Sequence, residues 1–190
     1  MINEQDKNRS LDDPYVSIGI PFYNAEKTIG LCLKSIIESD YDLNRIEIIL
    51  VDNFSHDKGA EVAKKILSYH NIKYRVLHHK GSLGLLRSII LNNARGKYIL
   101  WIDADAVIDK QFIKEQIAYI ESHEKSKIGA VVPLIFPYNI RSSVARGVGY
   151  KWLIPSIRAI KKRKTPFLGM LGALTPVEAL RSIEGFDVKL

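Results

Sequence analysis

The chain has 190 residues, 46% of them hydrophobic and 26% charged, with a formal net charge of +7. That length and apolar content suit one well-buried domain rather than two. The single cysteine, Cys32, excludes an internal disulfide and fits a reducing compartment, and no apolar run reaches the roughly 18–20 residues of a membrane span.

The first fourteen residues are polar and charged, carry no signal-peptide pattern, and read as a disordered lead-in. Beyond them, apolar β-branched runs alternate with segments of helical periodicity. Strands are predicted at 15–20, 46–51, 73–78, 97–102 and 128–134, and helices near 25–38, 58–69, 83–94 and 110–122. The first helix places Ile29, Leu33, Ile36 and Ile37 on one face, with Asn24 as its N-cap; Asp109 marks the start of the fourth. Cys32 falls on the same apolar face and reads as a buried spectator thiol. Alternating β-α units require parallel strands joined by right-handed crossovers. The fold class is therefore α/β: an open, mostly parallel twisted sheet with helices on both faces. After Pro137 the rhythm breaks into a basic segment, the Gly-rich stretch "FLGMLGALTP" and a short helix at 177–183.

In such sheets ligands bind at the carboxyl ends of the strands. Those ends read "PFYN", "DNFSHD", "HKGS" and "DAD", each bringing polar or aromatic groups to one edge. The fourth belongs to "GKYILWIDADAVID", where a buried run ends in Asp103 and Asp105. Residues i and i+2 of an extended chain share a face. Two carboxylates held so repel unless a cation or a hydrogen-bonded ligand joins them. A lone Asp-x-Asp is weak, since chance supplies roughly one in a chain of this length. A second one, Asp40-Tyr41-Asp42, follows the polar pair Glu38-Ser39 and reads as a solvated turn.

The first β-α turn has no glycine, which disfavours a dinucleotide and hydride chemistry, and no P-loop is present. Tyr23 could stack on a base, Asp52 or Asn53 could bind its edge, and the carboxylates could hold a divalent ion against a diphosphate. The plainer alternatives are a core aromatic at Tyr23, a turn cap at Asp52 and a solvated helix face at Arg87. His56, His78 and His79 lack metal-ligand spacing with any Cys or Glu and read as loop or edge residues.

The stretches "VSIGIPFYNAEKTIGLCLKSI", "IEIILVDNFSHD", "GLLRSIILNNARGKYILWIDADAVID" and "FLGMLGALTPVEALRSIEGFD" together resemble, in order and spacing, the family 2 glycosyltransferases with the GT-A, nucleotide-diphospho-sugar transferase-like fold. The resemblance covers residues 16–187. It implies a nucleotide-sugar donor, an inverting transfer to a glycan or lipid-linked acceptor, and Mg²⁺ or Mn²⁺. It implies a nucleotide-binding half at 15–109 and an acceptor-side half at 110–190. Carried onto this chain, Pro21, Tyr23 and Glu26 would line the nucleoside site, Asp52 and Asn53 would meet the base, and Arg87 would meet the donor near its diphosphate. Asp103 would approach the ribose and metal, Asp105 would be the main metal ligand, and Gly169 and Gly172 would floor the sugar site. Asn53 departs from the family pattern, in which many members carry a second Asp. The family's general base lies downstream of the "EGFDVKL" stretch, so it is expected beyond Leu190, and the chain reads as truncated and weakly active. The rival readings are a nucleotide-sugar-binding module without turnover and a nucleotidyltransferase. The latter usually carries a glycine-rich basic loop after its first strand, which "PFYN" lacks.

The net charge is local. Residues 141–164 hold eight Lys and Arg and no acid, and the rest of the chain is close to balance. "YKWLIPSIRAIKKRK" mixes cations with large apolar residues, as an interfacial helix does, and each basic residue near an anionic surface adds about 1 kcal/mol. A peripheral place at the cytoplasmic membrane face is expected. A nucleic-acid patch without a recognition motif and a solvated loop are the alternatives.

Overall fold

The computed structural model describes residues 15–136 and 169–189. The expected lead-in at 1–14 and the basic segment at 141–164 lie outside the described residues. Five strands form one sheet in the order β3-β2-β1-β4-β5: β1 Val16–Phe22, β2 Ile46–Asp52, β3 Lys73–His78, β4 Tyr98–Trp101 and β5 Leu174–Pro176. The first four are parallel and β5 runs antiparallel to β4. The helices are α1 Ile29–Ile37, α2 Gly59–Ser68, α3 Leu83–Asn93, α4 Phe112–Ser122 and α5 Val177–Ser182.

Every residue of β1, β2 and β4 is buried, as their mostly apolar runs require when both faces are covered, and the polar residues among them, Ser17, Glu47 and Asp52, are hydrogen-bonded within the protein. Alternate residues of β2 serve opposite layers. Ile48 and Leu50 pack with Ile29, Leu33 and Ala63 of α1 and α2, whereas Ile49 and Val51 pack with Leu86, Ile90 and Trp101 beneath α3. Gly19, mid-strand in β1, allows that second layer to close. A Cβ there would stand 2.6 Å from Ile90 Cγ2 and 3.2 Å from the Trp101 ring.

The structure corrects three local expectations. Residues 128–134 do not form a strand; only Val131 bridges, to Leu174. Pro133 interrupts the run and has no N–H for a ladder, and β5, from the Gly-rich stretch, takes the place beside β4. Helix α1 begins at Ile29 rather than near residue 25, with Thr28 at its cap position. Asn24 is left-handed (φ 51°), and its Oδ1 accepts from His56 N–H instead of capping a helix. Asp109 accepts from Gln111 N–H and starts the turn into α4, whose cap position is Gln111 itself.

The end of the sheet away from the strand carboxyl termini is sealed by two acids. Glu47, only 4% exposed, accepts from Ser17 Oγ, Arg75 Nη2 and Arg95 N–H at 2.6–2.8 Å. Glu121 of α4 accepts from the hydroxyls of Tyr15 and Tyr98 and from Lys97 Nζ. The opposite end stays open.

Candidate functional site

At the carboxyl ends of β1, β2 and β4 lies an open cavity of about 520 Å³. Its walls include Pro21, Tyr23, Asn53, Asp103 and Asp105, so five of the residues singled out in the sequence meet there. Thr28, Leu83, Leu86 and Ala104 also line it, with the rest of the turn after β1. The sequence reading missed these four, although Leu83 follows directly on the "HKGS" strand end.

Tyr23 is 55% exposed, touching His56 edge-on at 6.3 Å, and so is not a core aromatic. Its loop is strapped to the one after β2. Asn24 N–H donates to Ser55 Oγ (2.8 Å), and Glu26 N–H donates to Asp57 Oδ2 (2.8 Å). Lys58 N–H donates to Glu26 Oε2 at 3.3 Å. Glu26 therefore lines a separate cleft between α1 and α2 rather than this cavity.

Asp52 is only 4% exposed. Its Oδ1 accepts from Ser55 N–H (2.9 Å) and Ser55 Oγ (2.5 Å), and its Oδ2 faces His78 Nδ1 at 3.0 Å. Both oxygens are thus engaged within the protein, holding the turn that follows β2. His78 reaches it because residues 52 and 78 pair across parallel strands, a neighbour relation not readable from linear spacing. Asn53 makes a two-way clasp with Gly81: Oδ1 accepts from Gly81 N–H (2.9 Å) and Nδ2 donates to Gly81 O (3.2 Å). An amide does this where a carboxylate, lacking a donor, could not.

The carboxylate pair differs in environment. Asp105 is exposed and Asp103 half-buried. Burial pushes the Asp103 carboxyl up from its ordinary value, the cation of Arg87 on α3 opposes this, and the neighbouring Asp105 adds to it. Burial likewise lowers Arg87, and Asp103 counteracts that. Beneath them, the Cys32 thiol lies 3.7 Å from the Asp103 carbonyl. Burial, then Asp105 and Asp103, push it up to about 12, so it stays protonated and inert.

Gly172 sits behind β4, not on the cavity wall. Its N–H donates to Trp101 O (2.7 Å), its carbonyl accepts from Gln116 Nε2 (3.0 Å), and at φ +71° a Cβ would strike Pro133. A Cβ at Gly169 would meet nothing within 4 Å.

Hard oxygen donors suit a hard cation. Among the described residues no group of three or more His, Cys, Asp or Glu converges. Asp103 and Asp105 offer two hard oxygen donors, the kind of ligand that Mg²⁺ and Mn²⁺ take beside phosphate and water. Among the described residues no helix is long and apolar enough to cross a membrane.

The sequence profile described as glycosyl transferase family 2 matches residues 17–182. The poly(ribitol-phosphate) beta-N-acetylglucosaminyltransferase TarS of Staphylococcus aureus is 32% identical over 108 residues, which is 56% of this chain and 19% of TarS. The putative glycosyltransferase EpsE of Bacillus subtilis is 26% identical over 178 residues, 91% of this chain and 60% of EpsE. Of solved structures, a mannosyltransferase of Pyrobaculum calidifontis in complex with GDP-Man and Mn²⁺ superposes with a TM-score of 0.77 at 20% identity, over 94% of this chain and 49% of that one. TarS residues 1–349 in complex with UDP-GlcNAc gives 0.64 at 22% identity, over 90% and 48%. These likenesses establish the fold, and the chain spans about half the length of the solved chains it matches.

Proposed function

The chain belongs to glycosyl transferase family 2, and from that membership we propose that it forms the donor-binding domain of an inverting glycosyltransferase. The observation that carries this reading is the convergence of Tyr23, Asn53, Asp103 and Asp105 on one cavity at the strand ends, with Arg87 close behind Asp103.

In this reading Tyr23 offers its exposed ring to the nucleoside. Asp52 acts at one remove, holding the loop that carries Asn53, since its own oxygens are engaged by Ser55 and His78. Asp103 and Asp105 hold Mg²⁺ or Mn²⁺, which when bound would neutralise charge on the departing diphosphate. Arg87 brings a second positive charge to the same place. The acceptor hydroxyl must lose a proton to a base, and the family pattern assigns that role downstream of "EGFDVKL". The basic segment 141–164 brings the protein to an anionic membrane face, where a lipid-linked acceptor would be met. Support for the donor class comes from the nucleotide-sugars held by the structural neighbours.

The test is calorimetric titration with the common nucleoside diphosphates and their sugars, with Mn²⁺ and with chelator. One nucleotide should bind saturably, and more tightly with the metal. Absence of binding across the panel would overturn the reading. Pyrophosphate release from a nucleoside triphosphate and a sugar phosphate would replace it with nucleotidyl transfer.

A further inference from the structure

After α5 the chain reverses through two consecutive left-handed residues, Glu184 (φ 61°) and Gly185 (φ 80°), with Gly185 N–H bonded to Leu180 O at 2.9 Å. The reversal lays residues 186–188 along α3. Ser88 Oγ donates to Phe186 O (3.4 Å) and Ser82 Oγ to Val188 O (2.7 Å), so the segment is stitched to α3 on both sides of Arg87. The Phe186 ring meets Trp101 edge-on at 5.1 Å, and the Arg87 guanidinium lies 6.0 Å from its centroid.

Among the described residues Arg87 Nε is buried without a hydrogen-bond partner, and no ion pair engages the guanidinium. A carboxylate would fix such a cation but would also neutralise it. An aromatic face steadies it and leaves its charge and its donors available to an anion. Trp101 ends β4, two residues before Asp103, so the ring bridges the strand that delivers the carboxylates and the helix that delivers the cation.

We infer that Phe186 is a positioning residue, which holds the Arg87 guanidinium beside Asp103 without tying up its N–H donors and couples the segment after α5 to the diphosphate end of the donor site. The inference rests on the donor reading above and assigns to Phe186 a role in phosphate recognition without contact with phosphate.

The experiment compares a nucleoside diphosphate with the bare nucleoside, both with Mn²⁺, beginning with the wild type. A wild type that binds neither contradicts the donor reading itself; the remaining arms address Phe186 alone. Phe186→Leu and Phe186→Met keep apolar bulk against Trp101 and remove the aromatic face. Each should weaken the diphosphate about three- to tenfold, the range of a partly buried cation–π contact, and leave nucleoside affinity unchanged. Phe186→Tyr should restore the wild-type value. In an Arg87→Ala background neither apolar substitution should have any further effect. Two apolar variants are used so that misfolding of one, seen by circular dichroism, leaves the other to decide. Wild-type diphosphate affinity in a folded variant overturns the inference. So does equal loss of nucleoside and diphosphate, or an undiminished effect without Arg87.

Discussion

Asp103 shows what the site costs the fold at a single residue. Its carboxyl is pushed up mainly by burial, with Arg87 in opposition and Asp105 in support. A folded-state value above the unfolded one means that the charged form is disfavoured in the native protein. Its contribution is harmless below the unfolded value of about 3.9 and becomes destabilising as pH rises through the folded value. Asp103→Asn should therefore raise the urea midpoint of the ligand-free protein at pH 7, and that advantage should vanish in acid. A midpoint equal to or below that of the wild type at pH 7 would contradict this account of Asp103. Tyr23 and Asp52 separate in a complementary way. Tyr23→Ala should weaken nucleotide binding by about 1–3 kcal/mol through lost stacking and leave stability unchanged, because the ring is exposed. Asp52→Ala should cost about 1–3 kcal/mol of stability, because Ser55 and His78 lose their acceptor. Thermal melts beside calorimetry distinguish the two, and a stable Asp52→Ala protein would show that its bonds matter little. The carboxylate pair was legible in the sequence because it directly follows a buried run, whereas Tyr23, which also follows one, read equally as a core aromatic until the structure showed it exposed. The engagement of Asp52 was not legible, since His78 reaches it only through strand register.

At the scale of elements, β1, β2 and β4 were readable because mostly apolar runs have few other places to go, and β3, a half-exposed edge strand, from its place between two helices. β5 escaped notice for the opposite reason: three residues in a Gly-rich stretch carry no periodicity, and their place is set by the free edge of β4. The run at 128–134 was composed like a strand, yet Pro133 and that same competition left it a single bridge. Helix α4 is tied to the starts of β1 and β4 by Glu121, which accepts from Tyr15 just before β1, from Lys97 just before β4 and from Tyr98 of β4. Burial alone would raise the Glu121 carboxyl, but these three hydrogen bonds and the Lys97 charge hold it below its ordinary value. Its stabilisation is therefore present above the unfolded value of about 4.3 and lost as pH falls through the folded one. Glu121→Ala should lower stability by about 1–3 kcal/mol near neutral pH, with a smaller deficit in acid. A deficit independent of pH in urea titrations would show that packing, not charge, fastens α4. This substitution lies at the far end of the sheet from the cavity and should leave nucleotide affinity unchanged.

Among the described residues the cavity lies at one end of the sheet and the Glu47 and Glu121 clusters at the other, while the excess positive charge of the sequence lies in residues 141–164. That segment should draw the protein to anionic vesicles, with salt releasing it because the attraction is screened beyond about 8–10 Å. Replacing Lys161, Lys162, Arg163 and Lys164 by Gln should weaken vesicle sedimentation without altering nucleotide binding; equal binding to neutral and anionic vesicles would contradict the membrane role. At the open end of the sheet, the proposed role of the two carboxylates is to hold a metal against a nucleoside diphosphate. Calorimetric titration of the nucleoside diphosphate into wild type and Asp105→Ala, each with Mn²⁺ and with chelator, tests it most directly. Binding should be tighter with Mn²⁺ in the wild type, with no metal effect in a folded Asp105→Ala protein. An undiminished metal effect in that variant would contradict it.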